Sequence, residues 1–500
     1  MRAIQRLISI AIISISITLL ACVSASLAFI PTETDFQKQG QFQPKPEIIT
    51  AEIPHNPNQA KQEASYPNTP RVVFLDHFAW QVFAALNWPA DCQQGSPLAS
   101  KKIGEAPDAP RVWEFYSTPE TVFVSGKTPS TPNKPFICLN AENRLLPPKN
   151  STVKLTEQGK LDAKGQNANP QDLPLIDQQG NYIIVETYIN PQEFNQIVKN
   201  KWYDSVNLAQ FNNDNNQFDL ICSGRENDNI LGVPCSTYEK EGAIEIKASW
   251  RVFDEQTSKD EKARYYTTKR KVLIPGKSDK CDTGKAFCSD TGEEFSQVIE
   301  VGLIGFHIKH KTSEQGWIWS TFEQVDNVPD GTLKQNKYTL NNPDCQKNCV
   351  ENTPYVEPPY LWRKEAPHAV TKIGGEIKNQ IPSQIVRSFK PKSPLDSQIS
   401  EQNQQWHQAL KDISKSSVWQ YYNLVGTQWL TNPSQLYNEQ LREITPKLPL
   451  ANVTLEPYIQ NSSCIGCHTG AKLRTRMQPY ADFTFQMARA NSSNGTKNVQ

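Results

Sequence analysis

The stretch SQVIEVGLIGFHIKH, residues 296–310, decides the fold. Its apolar residues recur at a two-residue period with no proline among them, which is the signature of a β-strand with two differently clothed faces. After KTSEQG at 311–316 the same period returns in WIWSTFEQV, 317–325, so the two runs predict an antiparallel hairpin. Working outward, NYIIVETYI (181–189), AIEIKASWRVF (243–253), ARYYTTKRKVLI (263–274) and SVWQYYNLVGTQWL (417–430) predict further strands. Helical spacing is confined to their edges. VVFLDHFAWQVFAALNW (72–88) places Phe74 three and four residues before His77 and Phe78, and Trp80, Ala84 and Trp88 four apart, and stops at Pro89, a buried helix. Shorter helices are expected in RVWEFY (111–116), PQEFNQIVKNKWY (191–203), EIKNQIPSQIVRSF (376–389) and ISEQNQQWHQALKDI (399–413). The fold class is therefore α+β, an antiparallel sheet body with peripheral helices and long loops.

Composition agrees with such a body. With 37% hydrophobic residues and 36 prolines in 500, the chain is too polar and too often interrupted for a helical bundle or a membrane protein. Lys and Arg number 52 against 52 Asp and Glu, which gives no global bias toward nucleic acid. One segment is membrane-directed: Arg2 and Arg6 precede the apolar run Leu7–Leu20, as in a secretory signal peptide over 1–28. Two ends are open to it, cleavage after Ala28 or lipidation of Cys22 in LLAC, which resembles a bacterial lipobox. The expected location is periplasmic or otherwise exported, with a membrane tether through a Cys22 lipid in the second case. Residues 29–70, rich in Gln, Pro and Asn, predict a flexible tether. The α+β body then spans 71–430, a segment packed on it spans 431–490, and 491–500 is a disordered tail.

Eleven cysteines are present. Apart from Cys22, Cys464 and Cys467, the remainder form neighbouring pairs: Cys92 with Cys138, Cys222 with Cys235, Cys281 with Cys288, and Cys345 with Cys349. In an exported chain these suggest disulfides, although sequence leaves the connectivity open and the tight last pair could be two thiols.

The chemistry lies in NSSCIGCHTGAKL, 461–473. Covalent haem attachment needs two thiols one helical turn apart to add to the haem vinyl groups, and a histidine directly after them to ligate the iron. Cys464, Cys467 and His468 have that order, which predicts one covalent haem c. The rival is a disulfide or redox thiol pair, which in thioredoxin-like chains stands near the chain's beginning. The motif resembles that of the c-type cytochromes. More widely AWQVFAALNWP, PRVWEFY, GFHIKHKT with WIWSTFEQVDNVP, and SSCIGCHTGAKL with ADFTF resemble large bacterial monohaem cytochrome c family proteins over about residues 71–488. The resemblance implies a shared fold and a C-terminal c-type haem-attachment segment, and names no substrate.

Only 32 residues follow His468, too few for a small cytochrome module that starts at its haem motif. Pro433, Pro446, Pro449 and Pro457 interrupt the preceding stretch, which removes a four-helix alternative. Upstream chain must therefore build the site. For the other side of the iron the favoured candidate is His307, expected to share a strand face with Val301, Leu303 and Gly305, where the glycine leaves room for a flat ring. A buried histidine bonded to a backbone carbonyl explains His307 equally well. Met487, His77, His310, His368 and His407 are weaker candidates; Met477 lies too far along its own helix, His55 falls in the tether, and the sixth position could be empty. Lys472, Arg474 and Arg476 suit haem propionates, an acidic redox partner or simply a solvated face. Trp317 and Trp319 alternate along a strand, as a sheet packing surface does. The expected function is single-electron transfer in the periplasm between a donor and an acceptor that the sequence does not identify. The alternatives are a haem-dependent oxidoreductase acting on peroxide, oxygen or a small substrate at an open iron, and a haem-based sensor. No catalytic triad, phosphate loop or zinc signature is visible.

Overall fold

A computed structural model describes residues 49–54, 71–124, 127–129, 137–139, 144–146, 173–213, 218, 220, 242–277, 287–312, 315–329, 338–356, 358–388, 394–430, 444–445, 449–473 and 480–490. Its strands are β1 Ile137–Leu139, β2 Arg144–Leu146, β3 Ile184–Ile189, β4 Ile244–Phe253, β5 Thr267–Ile274, β6 Phe287–Ser289, β7 Phe295–Thr312, β8 Gly316–Gln324, β9 Tyr360–Trp362, β10 Ala369–Ile373, β11 Glu376–Asn379, β12 Tyr422–Leu430 and β13 Ile444–Thr445. The helices are α1 Arg71–Leu86, α2 Pro119–Val122, α3 Pro191–Lys199, α4 Ser205–Asn213, α5 Lys259–Lys262, α6 Pro394–Ile413 and α7 Cys464–His468, with 3-10 turns at Val112–Phe115 and Val418–Tyr421. The main sheet has seven strands in the order β13-β12-β8-β7-β4-β3, with β5 pairing the first half of β7, and every pair in it is antiparallel. The architecture is thus an antiparallel-sheet core with few helices, as the strand periods predict. Among the described residues no helix is long and apolar enough to cross a membrane.

One face of the sheet carries Ile246 and Ala248 from β4, Phe306 and Ile308 from β7, and Ile318 and Phe322 from β8. Helix α1 is buried on all sides from Phe74 to Leu86 and packs there with α6, Phe83 stacking 4.2 Å from Phe322 and Trp80 5.4 Å from Trp406. A helix apolar all round has to be enclosed, and the second helix encloses it.

The other face is polar, and a β-bulge decides which residues reach it. Between Ser249 and Trp250 of β4 the partner on β7 jumps from Gly305 to Leu303, leaving Ile304 as an extra residue. Side-chain parity inverts across such an insertion. The expectation that His307 shares a face with Val301 and Leu303 is corrected accordingly: both pack with Phe306 and Ile308 in the helix-side core, and Ile304 packs elsewhere. Gly305 does share the face of His307, but the space above it is taken. A Cβ there would fall on Thr454 Oγ1 and 2.5 Å from Ser249 Oγ, so the room expected for a ring is filled by chain.

Two further expectations change. Where a helix is expected over 376–389, residues 376–379 form strand β11 and 380–388 have no regular structure. Gly374 and Gly375, at φ 58° and 88°, turn β10 back into β11, and Pro382 cannot join a helix interior. With β6 and β9 these strands form a second sheet. Within the expected tether Ile49 and Ile53 are 5% and 8% exposed and belong to the main core, because two isoleucines four residues apart have apolar surface to bury. Cys345 and Cys349 form a disulfide, and Cys92 and Cys288 are disulfide-bonded. The expected partner Cys138 stands on β1, opposite Leu145 of β2, while Cys281, the pair Cys222 and Cys235, the signal peptide 1–28 with Cys22, the rest of the tether (29–48 and 55–70) and the tail 491–500 lie outside what the structure describes.

Candidate functional site

The polar face is laid out in rows by the strand register. Lys311 of β7 stands opposite Trp317 of β8. The next row runs Glu245, Lys309, Trp319, Gln428 across β4, β7, β8 and β12, and the next Lys247, His307, Thr321. A last row holds Ser249, Gly305 and Glu323. Residues 449–473 and 480–490 lie over these rows. Asn452 donates through Nδ2 to Thr321 Oγ1 at 2.9 Å, Thr454 Oγ1 is 2.6 Å from Ser249 Oγ, and Val453 N donates to Glu323 Oε1 at 2.8 Å. Helix α7 comes next: its N-cap Ser463 accepts from Gly466 N at 3.0 Å, and Cys464 N donates to Gln428 Oε1 at 3.0 Å.

Cys464 and Cys467 are unbridged, and both are half-buried, as is His468; Ile465 between them anchors the helix in a second core at 2% exposure. Burial pushes the Cys464 thiol up, assisted by the charge of Glu456 and by Cys467, so this thiol stays protonated. Ser462 Oγ lies 2.9 Å from Cys467 Sγ. His468 Nδ1 is 2.7 Å from the carbonyl oxygen of Phe483. A carbonyl only accepts, so Nδ1 carries the proton and Nε2 presents a lone pair. Burial, followed by the charge of Lys309, lowers the His468 pKa to about 3 and keeps the ring neutral. Aromatic rings stand around it, Phe485 at 5.4 Å and Trp319 at 6.3 Å between centroids.

The Phe483 carbonyl is delivered by a strained turn. Asp482 and Phe483 have φ of 47° and 60°, a left-handed conformation that costs each non-glycine residue about 1–3 kcal/mol. Asp482 is fully buried and held from three directions: Lys311 Nζ donates to Oδ2 at 2.6 Å, Leu220 N to Oδ2 at 2.8 Å and Trp317 Nε1 to Oδ1 at 2.9 Å.

His307 is the one candidate histidine on this face. Its Nε2 is 3.4 Å from Glu456 Oε2, and Glu456 also accepts from Asn452 N at 2.9 Å. Burial raises the Glu456 carboxyl, but His307, Lys247 and the Asn452 amide together outweigh it, so the net pKa is lowered. His307 lies close enough to His468 for its charge to contribute to the depressed pKa there. The other candidates stand apart. His77 lies on α1 beside Trp406 at 5.1 Å, and His310 stacks on Phe78 at 5.7 Å on the helix face. His368 Nδ1 pairs with Arg363 O at 2.6 Å, and His407 Nε2 with Tyr422 O at 2.7 Å. Met487 is buried in the second core, while Met477, Arg474, Arg476 and His55 fall outside the described residues. Lys472 Nζ lies 5.7 Å from the Tyr480 ring.

The donor set suits a c-type haem: two unbridged thiols one turn apart, a neutral imidazole with its outer nitrogen already engaged, aromatic neighbours, and the cations Lys309 and Lys247 beside them. Lys247 makes no ion pair among the described residues, whereas Lys309 is held by Glu245 at 3.1 Å and lies 3.7 Å from the Trp317 ring centroid. Among the described residues no group of three or more His, Cys, Asp or Glu is placed to hold a metal ion. Glu456, Asp482, Phe483, Gln428 and Lys247 belong to this site without being legible in the sequence. Only the alternation of His307, Lys309 and Lys311 along an otherwise apolar strand signals that one face serves something polar. The chain matches no protein-family model, no curated protein and no solved structure.

Proposed function

We propose that this chain is an exported c-type cytochrome with one haem bound covalently through Cys464 and Cys467, His468 being the iron ligand, and that it transfers single electrons. The observation that carries the reading is the His468 tautomer. The bond from Nδ1 to Phe483 O leaves Nε2 as the free donor, directly after two unbridged thiols at i and i+3. A metal-ligating histidine characteristically engages its other ring nitrogen in this way, which fixes its orientation and raises its basicity. Haem supplies a one-electron couple whose potential is set by axial ligands, burial and nearby charge. The chain's share is to hold and orient: α7 presents the thiols, Trp319 and Phe485 flank the imidazole, and Lys247 offers a cation to the haem propionates.

A second reading rests on the His307 Nε2 to Glu456 contact. A histidine engaged by a carboxylate is less free to serve as a second iron ligand and is equipped to move protons, which favours an open iron acting on peroxide, oxygen or a small substrate. Replacing both thiols, Cys464→Ser with Cys467→Ser, is expected to abolish haem that survives denaturing electrophoresis while the body keeps its far-UV signature; covalent haem persisting in that variant overturns the proposal. Reduced spectra with and without carbon monoxide then separate the readings. A low-spin spectrum indifferent to the gas supports the electron carrier, and a high-spin spectrum that shifts supports the open iron.

A further inference from the structure

We infer that Asp482 is the positioning residue that fixes the protonation geometry of His468, acting through the Phe483 carbonyl. The inference rests on the proposed role of His468 for its purpose, but not for its geometry. Two consecutive non-glycine residues in the left-handed region do not persist unless the surroundings over-determine them. Here the surroundings are specific. Asp482 accepts from Lys311 on β7, from its cross-strand neighbour Trp317 on β8 and from the backbone of Leu220, so one hairpin and a second part of the chain converge on one fully buried carboxylate. That grip fixes the left-handed turn, and the turn points the next carbonyl at His468 Nδ1.

Asp482 itself does not touch the imidazole, so its effect is transmitted. If the turn relaxes to ordinary negative φ, the Phe483 carbonyl rotates away, and the proton of a neutral imidazole is then free to reside on either nitrogen. The lone pair would no longer be confined to Nε2, the nitrogen required beside the two thiols. The strand carrying Lys311 also carries Lys309 and His307, so one strand supplies both the anchor of the turn and the polar groups next to the ring.

The test is nitrogen-15 NMR of His468 in the full-length, haem-free chain. The parent is expected to show one tautomer, protonated at Nδ1, with that proton protected from exchange. Asp482→Ala is expected to show both tautomers and at least a tenfold loss of protection. A variant that folds, loses stability and still keeps the single protected Nδ1 proton overturns the inference, since a merely structural anchor would behave that way. If Asp482→Ala fails to fold, Asp482→Asn, which keeps one acceptor oxygen and loses the charge facing Lys311, takes its place: partial tautomer mixing supports the inference, and an unchanged tautomer overturns it. Haem content is measured separately, so a chain that never takes up haem defeats the proposed function without touching this result.

Discussion

Glu193 is a carboxyl group with nothing to bond. It is fully buried in the first turn of α3, both its oxygens lack a hydrogen-bond partner among the described residues, and it faces Glu245, Lys309, Lys311 and Asp482. Both lysines are already committed, Lys309 to Glu245 and Lys311 to Asp482. Burial first, then the charge of Glu245, raises its pKa well above the usual 4.5. The folded chain therefore retains a proton that the unfolded chain releases. Stability is fully present below the unfolded pKa and falls as pH rises toward the folded one, by at most about 1.4 kcal/mol per pH unit. Glu193→Gln is expected to flatten that fall and to raise the urea midpoint at pH 7–8; an unchanged pH slope would show that Glu193 is not the group responsible. At this scale CIGCH is legible because the haem attachment proposed for it demands a fixed spacing. Asp482, Phe483 and Glu456 are not, because what they do depends on partners that only the folded sheet brings to them.

Strand β7 shows how much one element can conceal. Its alternation is plain in the sequence, yet the run VGLIGFHIK alternates acceptably in either parity, so nothing local reveals that Ile304 is inserted and that Val301 and Leu303 face away from His307. The extra residue is visible only against the uninterrupted register of β4. The bulge also leaves Gly305 beneath the 452–454 turn, where there is no volume for a side chain. Gly305→Ala is expected to cost about 1–3 kcal/mol through overpacking, read as a lowered denaturation midpoint. Because Thr454 and Ser249 must part to admit the methyl, hydrogen exchange should quicken at Thr454 before it does in β4. Full stability in the alanine variant would mean that the turn lies elsewhere. The hairpin β10–β11 conceals its identity for a different reason: a helix-compatible composition loses to a Gly-Gly turn.

At the scale of the whole molecule, the antiparallel class was readable from strand periods, because each buried face imposes period two on its own residues. The start of the body was not. Ile49 and Ile53 sit among prolines and polar residues that show no period, and yet they close the main core. Replacing both by alanine is expected to cost about 2–5 kcal/mol each if their burial is complete, and less where the site can collapse. Unfolding unaffected by the pair would return residues 49–54 to the tether. The rows of the polar face have one more consequence. The partners that receive the C-terminal chain are Ser249, Lys311, Trp317, Thr321, Glu323 and Gln428, all earlier in the sequence than Asn452. A chain folding from its N-terminus can complete that wall before α7 arrives to dock against it. The segment bearing the two thiols can then be seated after its wall has formed, and until it docks Cys464 and Cys467 would stay open to whatever modifies them.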